Sequence, residues 1–217
     1  MVSSVQYTKR EELFNAISHG VGILLAAVGT IVLVVTATRS GSTISVASSV
    51  LFGLTLIAMY TMSTLYHAVR PGHAKDVLQV FDHSSIYLLI AGAYAPIMLV
   101  LLGGSGKALI MFVAVWIAAI IGIVLSIVDM KRFKRINMLL YLVMGWGAVA
   151  DIVDIAHRLG TTGTALLIAG GIAYTVGVIF YKMKRTRYMH CVWHLFVVLG
   201  SVLHFICVYR YVILPAH

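Results

Sequence analysis

Charged residues are scarce in this chain of 217 residues, and cysteine is scarcer still. Only 11% of the residues are charged, seven of them acidic, whereas 61% are hydrophobic. A soluble domain of this size has no use for so much apolar surface, so the composition excludes one and predicts a membrane protein with several spans. The two cysteines, Cys191 and Cys207, lie about 24 Å apart along one predicted helix, which excludes a disulfide framework.

The net charge of +9 does not predict nucleic-acid binding, because the basic residues fall in short loops between apolar stretches. Basic loops would suit the anionic headgroups of membrane lipids, but the excess of basic residues in cytoplasmic loops already explains them. As partners of an integral membrane protein we expect membrane lipids and no nucleic acid. The first fourteen residues are polar. The apolar run after them is longer than a signal-peptide core and lacks a small-residue cleavage site, so we expect it to be retained as the first span.

Seven apolar stretches follow one another along the chain, each long enough to cross a bilayer as a helix. Turns rich in glycine, such as 103–106 and 160–163, separate them. The loops leave no room for a soluble domain, so we expect residues 1–217 to form one all-α integral membrane bundle of seven transmembrane helices. The predicted spans are 15–38, 43–67, 84–102, 107–128, 136–156, 164–181 and 189–214.

The distribution of basic residues orients the predicted bundle. All but four of the sixteen Lys and Arg residues lie in the N-terminal tail or in the loops after spans two, four and six. Cytoplasmic loops carry the excess of basic residues in membrane proteins. We therefore expect a cytoplasmic N-terminus and a C-terminus outside. The four exceptions are Arg39, Lys107, Arg158 and Arg210.

Two histidines at the start of the last predicted span, His190 and His194, lie on one face of a helix. Their spacing lets both imidazoles reach a single metal ion. The predicted topology puts His67, at the end of span two, at the same membrane depth. Three neutral imidazoles and a water form a tetrahedral zinc site with an exchangeable position, the arrangement used for hydrolysis. We therefore predict a zinc ion held by these three histidines.

Further polar residues are predicted at this depth. Asp82, at the entry of span three, is placed to accept a proton from the water without binding the metal. Ser63 lies one turn before His67 and can hydrogen-bond the water, the substrate or a ligand. Both have simpler interpretations, because Asp82 can be a helix N-cap and Ser63 can bond to a helix carbonyl. Asn15 and His19 in span one are expected to support the ligands.

A second polar cluster is predicted at the opposite membrane face. Asp151, Asp154 and His157 recur every three residues near the outer end of span five, and His204 lies on roughly the same face of span seven as His190. One interpretation is a second metal or proton site. We favour the alternative, in which the acidic helix end is solvated and His204 is hydrogen-bonded inside the bundle.

The polar residues at the cytoplasmic side form three blocks with defined spacing. These blocks are Glu12-x2-Asn15-x3-His19, then Ser63-x3-His67 followed by Asp82, then His190-x3-His194. Their order and spacing resemble the hemolysin III family, the bacterial relatives of the progestin and adipoQ receptors. The resemblance covers nearly the whole chain and implies a multi-pass protein of a bacterial cell membrane. Within the wider group, which includes the alkaline ceramidases, it implies zinc on the three histidines and hydrolysis of lipid amides.

Three functions fit these features. The first is a zinc-dependent membrane hydrolase of a lipid amide or ester, in which Asp82 takes and returns a proton and Ser63 helps to stabilise the oxyanion. The second is a non-enzymatic membrane protein that senses or adjusts the state of the bilayer and holds a structural zinc. The third is a pore-forming, cytolytic protein, in which Asp151, Asp154 and His204 would have to line a continuous path.

Overall fold

Helices joined by short turns make up the described structure, a computed structural model that covers residues 7–183 and 186–216. These ranges contain no β-strand, as predicted. Lys184 and Arg185, two of the basic residues that orient the bundle, lie outside them. The α-helices are α1 (Lys9–Arg39), α2 (Thr43–Ala68), α3 (His73–Ala95), α4 (Gly106–Asp129), α5 (Lys134–Trp146), α6 (Ile152–Lys182) and α7 (Met189–Val208).

Proline is rare in the chain, and each proline lies where the helical structure bends or changes type. Pro71 lies in the bend between α2 and α3, Pro96 opens a π-helical turn after α3, and Pro215 lies in the last helical segment. Proline inside a helix removes a backbone donor and clashes with the preceding turn.

Cys191 and Cys207 are both free thiols, as predicted. The segments that extend the α-helices are Pro96–Leu101 (π), Gly147–Asp151 (3₁₀), Tyr209–Ile213 (π) and Leu214–Ala216 (3₁₀).

Six helical segments of the described chain are long and apolar enough to cross a membrane. One of them is the 49-residue stretch Lys134–Lys182, within which the sequence predicts two spans, 136–156 and 164–181. A straight helix of that length would measure about 73 Å, more than twice the thickness of the hydrocarbon core. The stretch therefore has to bend to remain within a bilayer.

Gly160 divides this stretch. Its φ of 68° and ψ of 179° break the helix, and glycine adopts positive φ without strain. Trp146 on one side donates its indole N–H to the Thr175 hydroxyl on the other, over 3.0 Å, and the two residues lie at nearly equal distances along the chain from Gly160. The chain therefore doubles back at the predicted turn, and the stretch consists of two antiparallel arms.

Helix α3 begins earlier than the sequence predicts. The predicted span starts at residue 84, whereas α3 starts at His73. Asp82 consequently lies in the third turn of α3, and the interpretation of Asp82 as an N-cap is wrong. The physical reason is that hydropathy detects only the hydrocarbon-spanning part of a helix, whereas α3 includes a polar first turn with Lys75.

Helix α1 also begins before its predicted start, because a capping box starts it at Lys9. The Thr8 side chain accepts a hydrogen bond from Glu11 N over 3.3 Å, and the Glu11 carboxylate accepts one from Thr8 N over 2.9 Å. Such reciprocal bonds satisfy backbone donors that a helix start would otherwise leave unpaired. The early start brings Glu12 into the first turn of α1, within reach of α2.

Large apolar side chains cover the outside of the bundle. Leu24 on α1 is 68% exposed, and Ile110 and Val128 on α4 are 71% and 70% exposed. A continuous apolar surface of this kind is unfavourable in water, whereas the hydrocarbon of a bilayer solvates it. The exposed face therefore confirms the membrane class that the composition predicts.

Helices α1, α2 and α7 pack closely, and this packing positions the site. The Tyr60 ring of α2 lies against Gly22 of α1, where any Cβ would overlap the ring. The Tyr60 hydroxyl donates to Ser201 of α7 over 2.8 Å. Small residues allow this close approach between membrane helices. The three helices that carry most of the predicted polar residues are thus held together.

Candidate metal centre

The three predicted zinc ligands come together in the structure. His67 lies in the last turn of α2, and His190 and His194 lie in the first two turns of α7. One ring nitrogen of each lies within 4.8 Å of the other two, and the Nε2 atoms of His190 and His194 are 3.2 Å apart. Two ligands of a tetrahedral zinc ion lie about 3.3 Å from one another. The separation therefore suits a shared ion.

Hydrogen bonds on the far side of two of these rings determine which nitrogen can bind a metal. His67 donates Nδ1–H to Glu12 Oε2 over 2.6 Å, and His194 donates Nδ1–H to the Asn15 backbone oxygen over 3.3 Å. A neutral imidazole protonated at Nδ1 carries its lone pair on Nε2. His67 Nε2 is buried and has no hydrogen-bond partner among the described residues. This donor set fits zinc.

Glu12 also belongs to the site, although no role for it was predicted from the sequence. Its second carboxylate oxygen lies 2.9 Å from the Lys75 ammonium, and Lys75 also donates to the Tyr66 backbone oxygen over 2.9 Å. A carboxylate bonded to a metal-ligating histidine fixes the ring orientation and raises the basicity of the ligand. The spacing of Glu12 and Asn15 on one face of α1 was the signal that could have identified it.

Asn15 and His19 contact the predicted ligands without joining the group that can share an ion. Asn15 Nδ2 lies 3.4 Å from His67 Nδ1, but that nitrogen already donates to Glu12, so the contact is one of packing. The His19 ring stacks on His194 with centroids 3.6 Å apart and 11° between the planes. Both residues therefore restrict how the ligand rings can move.

A cavity of about 400 Å³ lies beside the histidines. His190 and His194 line it, and so do Asp82 of α3 and Ser63 of α2. Asp82 is not part of the group that can share an ion, and its Oδ2 lies 3.5 Å from His83 Nδ1. The structure thus brings both predicted catalytic residues to the same cavity as two of the predicted ligands.

Three tyrosines surround the histidines, and none was predicted from the sequence. Tyr7 stacks on His190 with ring centroids 4.9 Å apart. Tyr66 meets the His67 ring edge-on at 4.6 Å, and Tyr181 lies 5.9 Å from His190. Burial raises the pKa of the Tyr7 phenol, which keeps it a neutral hydrogen-bond donor at physiological pH. Tyrosine has no characteristic spacing, so no sequence signal pointed to these rings.

The residues predicted at the opposite membrane face do not form a second group that can share a metal ion among the described residues. His204 donates Nε2–H to the Leu167 backbone oxygen over 3.1 Å, whereas Asp154 and His157 are exposed. Within the part of the chain that the structure describes, the three-histidine group is the one cluster that can share a metal. This arrangement agrees with the favoured interpretation, a solvated helix end and an internally bonded histidine.

An all-helical membrane protein with a three-histidine cluster at one end of its bundle is the class that the fold and the site define. Within that class, the chain belongs to the hemolysin III family. The family model described as Haemolysin-III related matches residues 7–205, which is most of the chain. The resemblance inferred from the three motif blocks is therefore confirmed.

Relatives with curated names match most of this chain. The Hemolysin-3 homolog of Bacillus subtilis (strain 168) is 40% identical over 205 residues, 94% of this chain and 96% of that protein. Hemolysin-3 of Bacillus cereus is 37% identical over 214 residues, 98% and 96% of the two chains. The human Monocyte to macrophage differentiation factor is 29% identical over 168 residues, 74% of this chain and 68% of its own length.

Replacing Glu12 tests its contribution to metal affinity. Glu12→Gln keeps the size of the side chain but removes the negative charge that faces His67 and Lys75. We expect zinc affinity to fall about tenfold or more, since losing such an outer carboxylate costs 10–100-fold. Competition with a chromophoric chelator measures the change. Asp154→Asn removes the same charge at an exposed position and should leave the affinity unchanged, and an equal fall in both variants would contradict the role of Glu12.

Proposed function

We propose that the protein is a zinc-dependent membrane hydrolase that cleaves a lipid amide or ester. One observation carries the proposal: histidines close enough to share one ion lie beside a cavity that a non-ligating carboxylate and a serine also line. Zinc bound by His67, His190 and His194 would supply a Lewis acid and a water that loses its proton near neutral pH.

Asp82 is assigned the proton transfers. A general base takes the proton of the attacking water and later returns it to the leaving amine or alcohol. Ser63 is assigned a hydrogen bond to the carbonyl oxygen, which gains negative charge in the transition state. Both roles require a side chain that faces the substrate and is not a metal ligand, and the positions of Asp82 and Ser63 on the cavity wall support this assignment.

The proposed topology has seven spans, a cytoplasmic N-terminus and an external C-terminus, with the site at the cytoplasmic side. Two features support it. The reversal at Gly160 turns one of the six long apolar segments into two arms, and the basic residues are concentrated on the side that would be cytoplasmic. The relatives from two Bacillus species support a bacterial cell membrane as the location.

A second candidate function is a non-enzymatic membrane protein stabilised by structural zinc. The observation that favours it is that the three histidines join α2 to α7, while Glu12 and Asn15 of α1 bond to them. An ion in that place would tie three helices together, and its binding energy would add to the folding energy. The pore hypothesis has less support, because only His204 of its three proposed lining residues lines the described cavity.

Lipid turnover by purified, zinc-loaded protein separates the two candidates. The protein is incubated with N-acyl and O-acyl lipids in nanodiscs, and released fatty acid is measured by mass spectrometry. The hydrolase proposal predicts release that stops when a chelator removes zinc and resumes when zinc is restored. A protein that binds one zinc, loses thermal stability without it and yet releases no fatty acid from any of these lipids would refute the hydrolase and favour the structural role.

A further inference from the structure

Two lysines and several apolar side chains at the start of α5 line the cavity beside the histidines. Lys131, just before α5, and Lys134, its first residue, line the cavity together with Met138 and Leu142. Lys134, Met138 and Leu142 are spaced four positions apart and share one face of α5, and Lys131 lies in the turn before it. Val197 of α7 also lines the cavity. The cavity therefore has the character of an amphiphile-binding site.

The two lysines lie at the same end of the cavity as the proposed catalytic carboxylate. Tyr141, about two turns beyond Lys134, donates its hydroxyl to the His83 backbone oxygen over 2.8 Å. The Tyr87 hydroxyl of α3 donates to Asn137 Oδ1, one turn after Lys134, over 3.0 Å. The two bonds place the first turns of α5 beside the part of α3 that follows Asp82. Gln79 of α3 also lines the cavity there. The polar end therefore contains groups from both helices.

Positive charge dominates this polar end. Lys131 and Lys134 each carry one positive charge, and Asp82 is the one carboxylate among the described lining residues. Zinc at the proposed site would add two further positive charges. An anionic group at this end would therefore be attracted, while an apolar chain fills the rest of the cavity.

We propose that the cavity binds a single-chain amphiphile whose head is anionic, either a carboxylate or a phosphate, and that Lys131 and Lys134 hold this head. The volume of about 400 Å³ falls within the range of small-ligand sites. The inference rests on the proposed function, because it names the head group of the lipid that this site would cleave or release. Arg132 and Arg135 belong to the same basic loop but do not line the described cavity, so they provide a matched comparison.

Fluorescence quenching measures this binding directly. Trp146 and Trp193 line the cavity, and a stearate with a doxyl spin label on its chain quenches indole fluorescence at short range. The methyl ester of the same labelled stearate has an identical chain and no charge. For the wild-type protein in phosphatidylcholine nanodiscs, we expect the carboxylate form to bind roughly 30-fold more tightly, from the attraction of two lysines near a membrane surface.

The decisive comparison is between two double variants that remove the same charge. Lys131→Gln/Lys134→Gln is expected to abolish the preference for the carboxylate form, whereas Arg132→Gln/Arg135→Gln is expected to keep most of it. Equal losses in both would show that loop charge alone attracts the anion and would overturn the proposal. Unchanged zinc content in both variants confirms that they are folded.

Two further arms identify the source of the ligand and separate this inference from the proposed function. Displacement by dodecyl phosphate supports a free amphiphile, displacement by lysophosphatidylglycerol in the nanodisc supports a membrane lipid, and displacement by neither refutes the head-group assignment. The preference must persist after a chelator removes zinc, because a head held only by the ion would lose it. A lysine-dependent preference without any lipid turnover would refute the hydrolase and leave the amphiphile site standing.

Discussion

His194→Ala is expected to reduce zinc affinity by about 10²–10³-fold. The buried His194 ring offers Nε2 at 3.2 Å from His190 Nε2, so the substitution removes one of three protein ligands. Structural zinc sites bind the ion with a free energy of about 10–16 kcal/mol, so one of three protein ligands contributes about 3–5 kcal/mol. Each 1.4 kcal/mol is a factor of ten. Metal analysis of the purified protein, together with chelator competition, measures the effect.

A histidine elsewhere provides the control for this substitution. His157→Ala removes an exposed imidazole that is not part of the three-histidine group, and the zinc content should remain that of the wild type. If the His194→Ala protein still contains one zinc per chain, the ion is bound elsewhere and the assignment of the three histidines as ligands is wrong.

Asp82→Asn is expected to lower kcat for lipid hydrolysis by about 10²–10⁴-fold, which is the usual contribution of a general acid–base residue. The amide has the shape of the carboxylate but cannot accept the proton of the attacking water. Because Asp82 lies on the cavity wall and is not a predicted ligand, zinc content should stay at the wild-type level. The measurement is the rate of fatty-acid release by the purified variant, together with its zinc content.

Asp76→Asn is the matched control for Asp82→Asn, because Asp76 is an exposed carboxylate on the same helix and is not among the lining residues of the cavity. Its turnover should equal that of the wild type. If Asp82→Asn releases fatty acid as fast as the wild type while still binding zinc, Asp82 does not carry the proton, and the mechanism as drawn fails.

Much of the fold was readable from hydropathy and turn residues. The predicted spans 43–67 and 107–128 agree closely with α2 and α4, because uninterrupted apolar runs bounded by polar turns have one stable form in a bilayer. The starts of α1 and α3 were predicted too late, since both helices begin with polar turns that hydropathy does not detect. The reversal at Gly160 was predicted from turn chemistry alone.

The candidate site was readable only in part. His190 and His194 follow from spacing within one helix, and His67 joins them through the predicted topology. Glu12 was recognised as part of the first motif block, but its role was missed because it depends on an approach of 2.6 Å between side chains of α1 and α2. Tyr7 was missed for the same reason, since its stacking on His190 joins segments from the two ends of the chain.

The sequence by itself determined that this is a helical membrane protein and where most of its helices terminate. It also determined that one helix presents two histidines on a single face. These properties depend on local periodicity and on the solvation of apolar side chains, so they need no knowledge of distant contacts. Only the tertiary structure decided which neighbours orient those histidines, which tyrosines enclose them, and that Lys131 and Lys134 share a cavity with Asp82. Such relations depend on how the helices rotate and pack against one another, which spacing along a single helix does not specify.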